Sequence, residues 1–527
     1  MSEAVINQQP AAQRPEQSAT PVVPKDAAAV ILLRDDSDAR DPVVFWARRS
    51  ERMAFMPGFY AFPGGQRDDA DAQVEVDDAA DRETATMIAC AARELFEELG
   101  VLAARGADSL TKGQLASVLD DLTSARMTFA ELLAHYGLHL DARDFQFAGR
   151  WVTPPFSPRR FDTLFFVVKC PRKQEPRVLT PEFDTGEWTG AREAYARWRR
   201  AELMAAPPVV HALRTLAAGL ADDLYERFLS VPQAHRRPLR AIEFLPGFVC
   251  FPVRTPTKPP ATTTNCYVVG TRDFLVVDPG SPYEDEQAAL AEFVKELISQ
   301  GRCLREIVLT HQHPDHVGGV EHLRATLGGD VKVAAHRLTA EDLRGGVRVE
   351  RFIEDGDTIE LDGDPRLRLR AMHTPGHTRG HLSFYEERAG ALLTGDNIVG
   401  FGSVLIDPEE GSVRDYLSTL ERYRQLPRLV ALFGGHGPAT GSPFAKIDEY
   451  VAHRLKRERD ILAAVRAGAA TPSEIVARAY ADVPTKMRAL AERAVLAHLL
   501  KLEEDGLVAR AAGGRFAARS PGGLDAK

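Results

Sequence analysis

The first part of the chain carries its apolar residues in short unbroken blocks. AAAVILL, just after Asp26, and PVVFWARR read as buried strands, because runs of ~4–8 apolar residues suit a strand covered on both faces. Ordered structure is therefore expected to begin near Asp26. A Pro/Gly-rich segment, FMPGFYAFPGG, follows, and then an acidic loop over 67–81. From about Thr84 the period changes to that of a helix, TATMIACAARELFEELG. At ~3.6 residues per turn Ile88, Ala91, Leu95 and Leu99 share one face, while Glu94, Glu97 and Glu98 share another. Gly100 stands where a helix of this kind ends. A further α+β stretch ends near 229, and SVPQAHRRPLR reads as a linker. From about Ile242 the pattern restarts. CYVVG and FLVVDPG are expected to pair as a hairpin; a helical run over 284–299 leads to the strand EIVLT, and the strand-then-polar-loop theme recurs at LRLRAMHTPGHT and ALLTGDN. After about Pro443 the chain turns helical and closes on a strand–turn–strand, GLVARAAGGRFAAR.

These patterns predict a multidomain α/β chain: a disordered lead-in (1–24), a first α/β domain (25–228), a linker (229–241), a layered second domain (242–450) and a small helical third (451–527). A length of 527 residues agrees, at a prior of ~150 residues per domain. Composition is that of globular protein, with 44% hydrophobic and 27% charged residues. The net charge of −9 argues against a general affinity for nucleic acid. It is uneven, since 451–527 holds 14 Lys/Arg against 9 Asp/Glu. Five scattered cysteines with no C-x-x-C suit a reducing compartment. The first residues lack the apolar core of a signal peptide, and no apolar run is long enough for a membrane span, so a cytoplasmic location without membrane partners is expected.

The stretch THQHPDHVGG changes the picture. Nine of the fifteen histidines lie between His311 and His436. His311, His313, Asp315 and His316 follow a strand; His377 sits in PGHT, Asp396 directly after ALLTG, and His436 in GGHGP after LVALF. Five imidazoles and two carboxylates, each at a strand's C-terminal end, have the hardness for two zinc ions, or for iron or manganese. One ion would take His311, His313 and His377; the other Asp315, His316 and His436; Asp396 would bridge. Two such ions ~3.5–4 Å apart lower the pKa of shared water towards ~7, so hydroxide attack on an ester-like, thioester, amide or phosphodiester bond is the expected chemistry. His322, His336, His373 and His381 are expected to be ordinary structural histidines.

HQHPDH, the VVDPG turn with Asp278, HTPGHTRGHLSF, LLTGDN and FGGHGP together resemble the metallo-β-lactamase superfamily over roughly 242–450. The resemblance implies an αββα sandwich and the same ligand set, with Asp315 among the catalytic residues. No cysteine occupies a ligand position, which disfavours an antibiotic-degrading lactamase. YVAHRLKRERDIL, TPSEIVARAY and AVLAHLLKLEEDGLV resemble the winged-helix tail of the lactamase-β-like protein 2 group, which includes a single-strand endoribonuclease and fungal thioesterases acting on carrier-bound acyl chains. By itself the tail reads either as a nucleic-acid contact or as a packing module walling the metal cleft.

Three carboxylates on one helical stripe repel one another. They suit either an ordinary solvated face or a site for a hard divalent cation held together with substrate phosphates. FPGG followed by RELFEELGV resembles the Nudix box, and RRSERMAFMPGFYAFPGG, RFDTLFFVV and APPVV resemble its coenzyme A diphosphatase-like subgroup over roughly 25–228. The resemblance implies a Nudix α/β/α sandwich in which Glu94, Glu97 and Glu98 bind Mg²⁺ or Mn²⁺ and Arg93 orients them, all four being candidate catalytic residues. Two departures stand out. The glutamate of the usual box, eight positions before the arginine, is Ala85, and the interval from Gly65 to Arg93 is long. Glu182 and Glu187 are both candidates for the general base. The expectation is a two-headed hydrolase: an acyl thioester in the rear half, and coenzyme A or another nucleoside diphosphate derivative in the front half. Two alternatives stay open: a single-strand endoribonuclease using the rear metal site, and a ligand-sensing regulator that binds nucleic acid.

Overall fold

A computed structural model describes residues 22–53, 55–259, 261–400, 402–480 and 487–519. The expected disorder of the lead-in lies, for 1–21, outside the described residues. AAAVILL forms the strand Lys25–Arg34, which is central because it pairs in parallel with Phe161–Cys170 on one side and antiparallel with Val43–Arg49 on the other. Burial on both faces explains its unbroken apolar run. Ala28, Val30 and Leu32 pack under the Arg82–Leu99 helix, while Ala29, Ile31 and Leu33 face the helices Ala191–Arg199 and Pro207–Ala217. The result is an α/β/α sandwich. Asp81 caps the Arg82–Leu99 helix by accepting from Thr84 N–H, and Gly100, at φ 69°, ends it. The segment over 229–241 packs back on this unit: Ala234 is buried, and Arg236 pairs with the buried Asp162 at 2.7 Å.

The second unit stacks two sheets. A seven-stranded sheet runs from Ile242–Leu245 to Arg351–Phe352, and a five-stranded sheet from Thr358–Leu361 to Ala431–Gly434. The expected hairpin forms, with Tyr267 opposite Val277. Phe248, Val269, Val277 and Val308 from one sheet meet Leu369, Phe384, Leu393 and Phe433 from the other. Helix Glu284–Ser299 covers the first sheet and Val413–Arg424 the second, which completes four αββα layers.

The two sandwiches share one apolar core. Phe59, Ala201 and Met204 of the first lie in the same cluster as Phe244, Leu361 and Leu393 of the second. The Phe59 and Phe244 rings meet edge to face at 5.4 Å, and Trp198 Nε1–H donates to the Phe244 carbonyl at 3.0 Å.

Helix Pro443–Arg466 is continuous from the second unit into the third, across the division expected at 450. There it packs with Pro472–Ala479, Arg488–Glu504 and the antiparallel pair Val508–Arg510 and Phe516–Ala518. The Arg488–Glu504 helix lies against the second unit: Ala497 is buried in that unit's outer core, and Arg414 pairs with Glu504 at 2.6 Å. No helix among the described residues is long and apolar enough to cross a membrane.

Candidate metal centres

Five strands of the second unit end at one rim. Asp273–Val277 delivers Asp278, Cys303–Val308 delivers the loop of His311, His313, Asp315 and His316, Ala391–Gly395 delivers Asp396, and Ala431–Gly434 delivers His436. His377 follows Leu367–His373. His311 Nε2 lies 3.0 Å and His377 Nε2 3.1 Å from His313 Nδ1. On the other side, His436 Nε2 lies 3.5 Å from Asp315 Oδ2. Asp396 stands between the groups. Its Oδ1 is 3.4 Å from His316 Nε2, and its Oδ2 is 3.2 Å from His436 Nε2 and 3.8 Å from His377 Nε2. All seven expected ligands therefore converge, in two groups of ligand atoms each within 4.8 Å of one another. The loop after Ala431–Gly434 must approach closely, since a Cβ on Gly435 would sit 2.3 Å from Asp396 Oδ1.

Outward hydrogen bonds fix which nitrogen each ring presents. His316 Nδ1–H donates to Asp278 Oδ2 at 2.9 Å. His311 Nδ1–H donates to Thr310 Oγ1 (2.9 Å), whose own hydroxyl donates to Asp278 Oδ2 (2.6 Å). His377 Nδ1–H donates to the Leu405 carbonyl and His436 Nδ1–H to that of Thr263, both at 2.8 Å. His313 turns the other way, giving Nε2–H to Glu410 Oε2 at 2.9 Å. Five ring nitrogens thus face inward, the arrangement that partners behind the rings impose on metal-binding histidines. His316 Nε2 and Asp396 Oδ1 are buried with no hydrogen-bond partner in the protein, so divalent cations fit the donor set and the orphaned atoms alike.

The charges agree. Burial pushes the His311 pKa well below its ordinary value and that of His377 down to about 4, so both rings are neutral. Burial would do the same to His316, but Asp396 and Asp278 more than reverse it. Asp396 is held well below the usual carboxylate range by His436 and His316, against the effect of its own burial.

In the sequence Asp278 stands out only as part of VVDPG, and Glu410 carries no signal. Asp278, buried at φ 53°, holds the His316 ring directly and the His311 ring through Thr310, and accepts from Thr310 N–H as well. Replacing it with alanine is expected to weaken metal retention by ~10–100-fold, the usual cost of an outer-shell partner. Competition with a chromophoric chelator measures this. His381, expected to be structural, is buried beneath the cluster with its ring 5.4 Å from that of His311, and it is hydrogen-bonded to Thr374 and Asn397. His336 and His373 stack on each other at 4.2 Å, outside the cluster.

In the first unit Arg93 NH1 donates to Glu94 Oε1 (2.9 Å) and Glu97 Oε2 (3.0 Å). Glu98, buried, accepts from Gly64 N–H at 2.7 Å. The helix passes so close to the glycine strand that a Cβ on Gly65 would sit 2.4 Å from Glu94 Cδ. Burial raises all three carboxyls, Glu94 to about 7. One buried and two half-buried acids, all disfavoured as anions, form a cradle that a divalent cation suits. Arg93 is met by an acid other than one at position 85. Asp71, 1% exposed, forks onto Arg93 with Oδ1 at 2.7 Å from Nε and Oδ2 at 3.0 Å from NH2. Asp71 lies in the acidic loop, on the glycine side of the long interval; counting back from Arg93 along the helix passes over it. Of the two candidate bases, Glu182 lies close enough for its charge to act on Glu98 and Arg49, whereas Glu187 is paired with Arg197 at 2.6 Å.

Three family profiles match the chain: the Metallo-beta-lactamase superfamily over 259–436, the Beta-lactamase associated winged helix domain over 471–515, and the NUDT19 Nudix domain over 72–216. The Beta-lactamase-like protein 2 homolog of Caenorhabditis elegans is 32% identical over 249 residues, which span 46% of this chain and 80% of that protein. The chain belongs to the metallo-beta-lactamase superfamily. Metallo-beta-lactamase, Nudix and winged-helix domains follow one another in the order Nudix, lactamase, winged helix, and the protein is a hydrolase. The Atrochrysone carboxyl ACP thioesterase nsrC of Aspergillus novofumigatus is 29% identical over 57% of this chain and 92% of its own length. A crystal structure of a NUDIX hydrolase from Alicyclobacillus acidocaldarius, 32% identical, aligns over 38% of this chain and 96% of that one with a TM-score of 0.33.

Proposed function

We propose that the lactamase-like half hydrolyses an acyl thioester of a small carrier such as coenzyme A, and that the Nudix half cleaves the diphosphate of coenzyme A or another nucleoside diphosphate derivative. The observation that carries the reading is the pair of ligand groups joined by Asp396, in which each ring turns one nitrogen inward while a partner behind it holds the other. His311, His313 and His377 would hold one zinc-like ion, Asp315, His316 and His436 a second, and Asp396 both. Such a pair, when bound, polarises the scissile carbonyl and makes water acidic enough to attack near neutral pH. Asp315, half-buried beside His436, takes up the proton released as the carbonyl is attacked and returns it to the departing thiolate. Asp278, Thr310, Glu410 and the Leu405 and Thr263 carbonyls keep the rings in their working tautomers.

In the Nudix half Glu94, Glu97 and Glu98 would hold Mg²⁺ or Mn²⁺, which withdraws charge from a diphosphate. Arg93, locked by Asp71, keeps Glu94 and Glu97 aimed at that cation. Glu182 is placed to draw the proton from the attacking water. The thioester choice is supported by the name of the Aspergillus relative and by the acidic net charge of −9, which disfavours RNA. Five free cysteines favour a reducing compartment such as the cytoplasm.

Acyl-CoA supplied to the purified chain should release free thiol, and His311→Ala should abolish the release. Coenzyme A supplied with Mg²⁺ should be cut at its diphosphate in a manner sensitive to Glu97→Gln. Endonucleolytic cutting of labelled single-stranded RNA without thiol release would replace the thioester reading with an endoribonuclease. DNA binding without turnover of any of these would replace it with a regulator.

A further inference from the structure

The winged-helix domain reaches the metal centre through one loop. Residues 404–410 lie between the Ala391–Gly395 strand and the Val413–Arg424 helix, and two of their groups stand directly behind ligand rings. The Leu405 carbonyl accepts from His377 at 2.8 Å, and Glu410 accepts from His313 at 2.9 Å. The loop is folded around Asp407: its carbonyl accepts from Glu410 N–H (3.1 Å) and Gly411 N–H (2.7 Å), and its Oδ1 accepts from Glu409 N–H (3.0 Å). What holds Asp407 comes from another domain. Arg493, on the Arg488–Glu504 helix, forks onto both Asp407 oxygens and reaches Glu409 Oε1 at 3.2 Å. The buried Arg454 of the Pro443–Arg466 helix donates to the Val404 carbonyl, with its guanidinium 5.0 Å above the Tyr416 ring.

We propose that Arg493 is a positioning residue of the metal centre, clamping the 404–410 loop so that Leu405 and Glu410 keep His377 and His313 aimed at one shared ion. The proposal rests on the reading of those histidines as metal ligands. It also gives the tail a task in this protein other than gripping nucleic acid, since the Arg488–Glu504 helix is turned onto the catalytic domain. Arg493 is 39% exposed, so the ion pair itself adds little to global stability. Its effect is local: without the fork Asp407 loses its anchor, the turn built on it loosens, and two rings lose the partners that set their direction.

The test uses the full-length, zinc-loaded chain and follows zinc transfer to a chromophoric chelator. Arg493→Ala should speed release of one of the two ions by about tenfold or more, with the melting temperature within a few degrees of the parent, and Arg493→Lys should recover part of the difference. Arg414→Ala is the control. It breaks another contact of the same helix to the same domain, through Glu504 and Asp505, but leaves the loop alone, so zinc should leave at the parental rate. Equal release from the parent and Arg493→Ala would overturn the clamp while leaving the metal centre standing. Equal acceleration by Arg414→Ala and Arg493→Ala would reduce the effect to domain docking. A parental chain that holds no zinc after loading would overturn the metal reading and the clamp together.

Discussion

Asp396→Asn should leave the chain folded and lower thiol release by at least ~10³-fold, because charge stabilisation worth several kcal/mol disappears from the reacting centre. One carboxylate faces three imidazoles here, with Oδ2 within 3.8 Å of His377 and 3.2 Å of His436 and Oδ1 3.4 Å from His316. An amide of the same shape cannot serve two cations, and its NH₂ would aim hydrogens where an ion is expected. The same change removes a buried negative charge that His436 and His316 stabilise, so the metal-free variant should melt lower than the metal-free parent near neutral pH. Elemental analysis should fall from about two ions per chain to one or none. A variant that keeps both ions and the parental rate would show that Asp396 is not shared.

The second large effect lies in the front half. Asp71→Ala should cost ~1.5–3 kcal/mol of stability, since it removes the forked, charge-assisted partner of Arg93, and should abolish diphosphate cleavage. Arg93 is 12% exposed and would keep only Glu94 and Glu97 as charged partners, pulling both carboxylates away from a cation. Denaturant titration and a coenzyme A assay with Mg²⁺ measure the two parts. Unchanged stability together with unchanged cleavage would mean that Asp71 does not replace the acid missing at Ala85.

Much of this was legible in the sequence where the physics is local. A strand buried on both faces needs an unbroken apolar run, and AAAVILL has one; a helix ending at Gly100 needs a left-handed residue there. The seven ligands could be grouped because each sits on a tight turn just after an apolar strand, and strands of one sheet end at a common edge. The supports were illegible because they are set by packing between distant segments. Glu410 meets His313 across 97 positions, and Arg493 meets Asp407 across 86. Asp278 was visible as a letter in a motif, but its hold on two histidines depends on how neighbouring strands align. The role of Asp71 is hidden for a plainer reason. Ala85 is already helical and two turns from Arg93, ~12 Å along the axis, so an acid there would lie far from the guanidinium, whereas the loop folds back to it.

The aromatic contact of Phe59 with Phe244 ties the fates of the two active centres together. Neither sandwich can be expressed alone without baring part of its interior to water. A lesion worth only ~1–2 kcal/mol in the Nudix half would therefore thin the steady-state supply of the lactamase-like half several-fold, through quality-control degradation rather than any change in its chemistry.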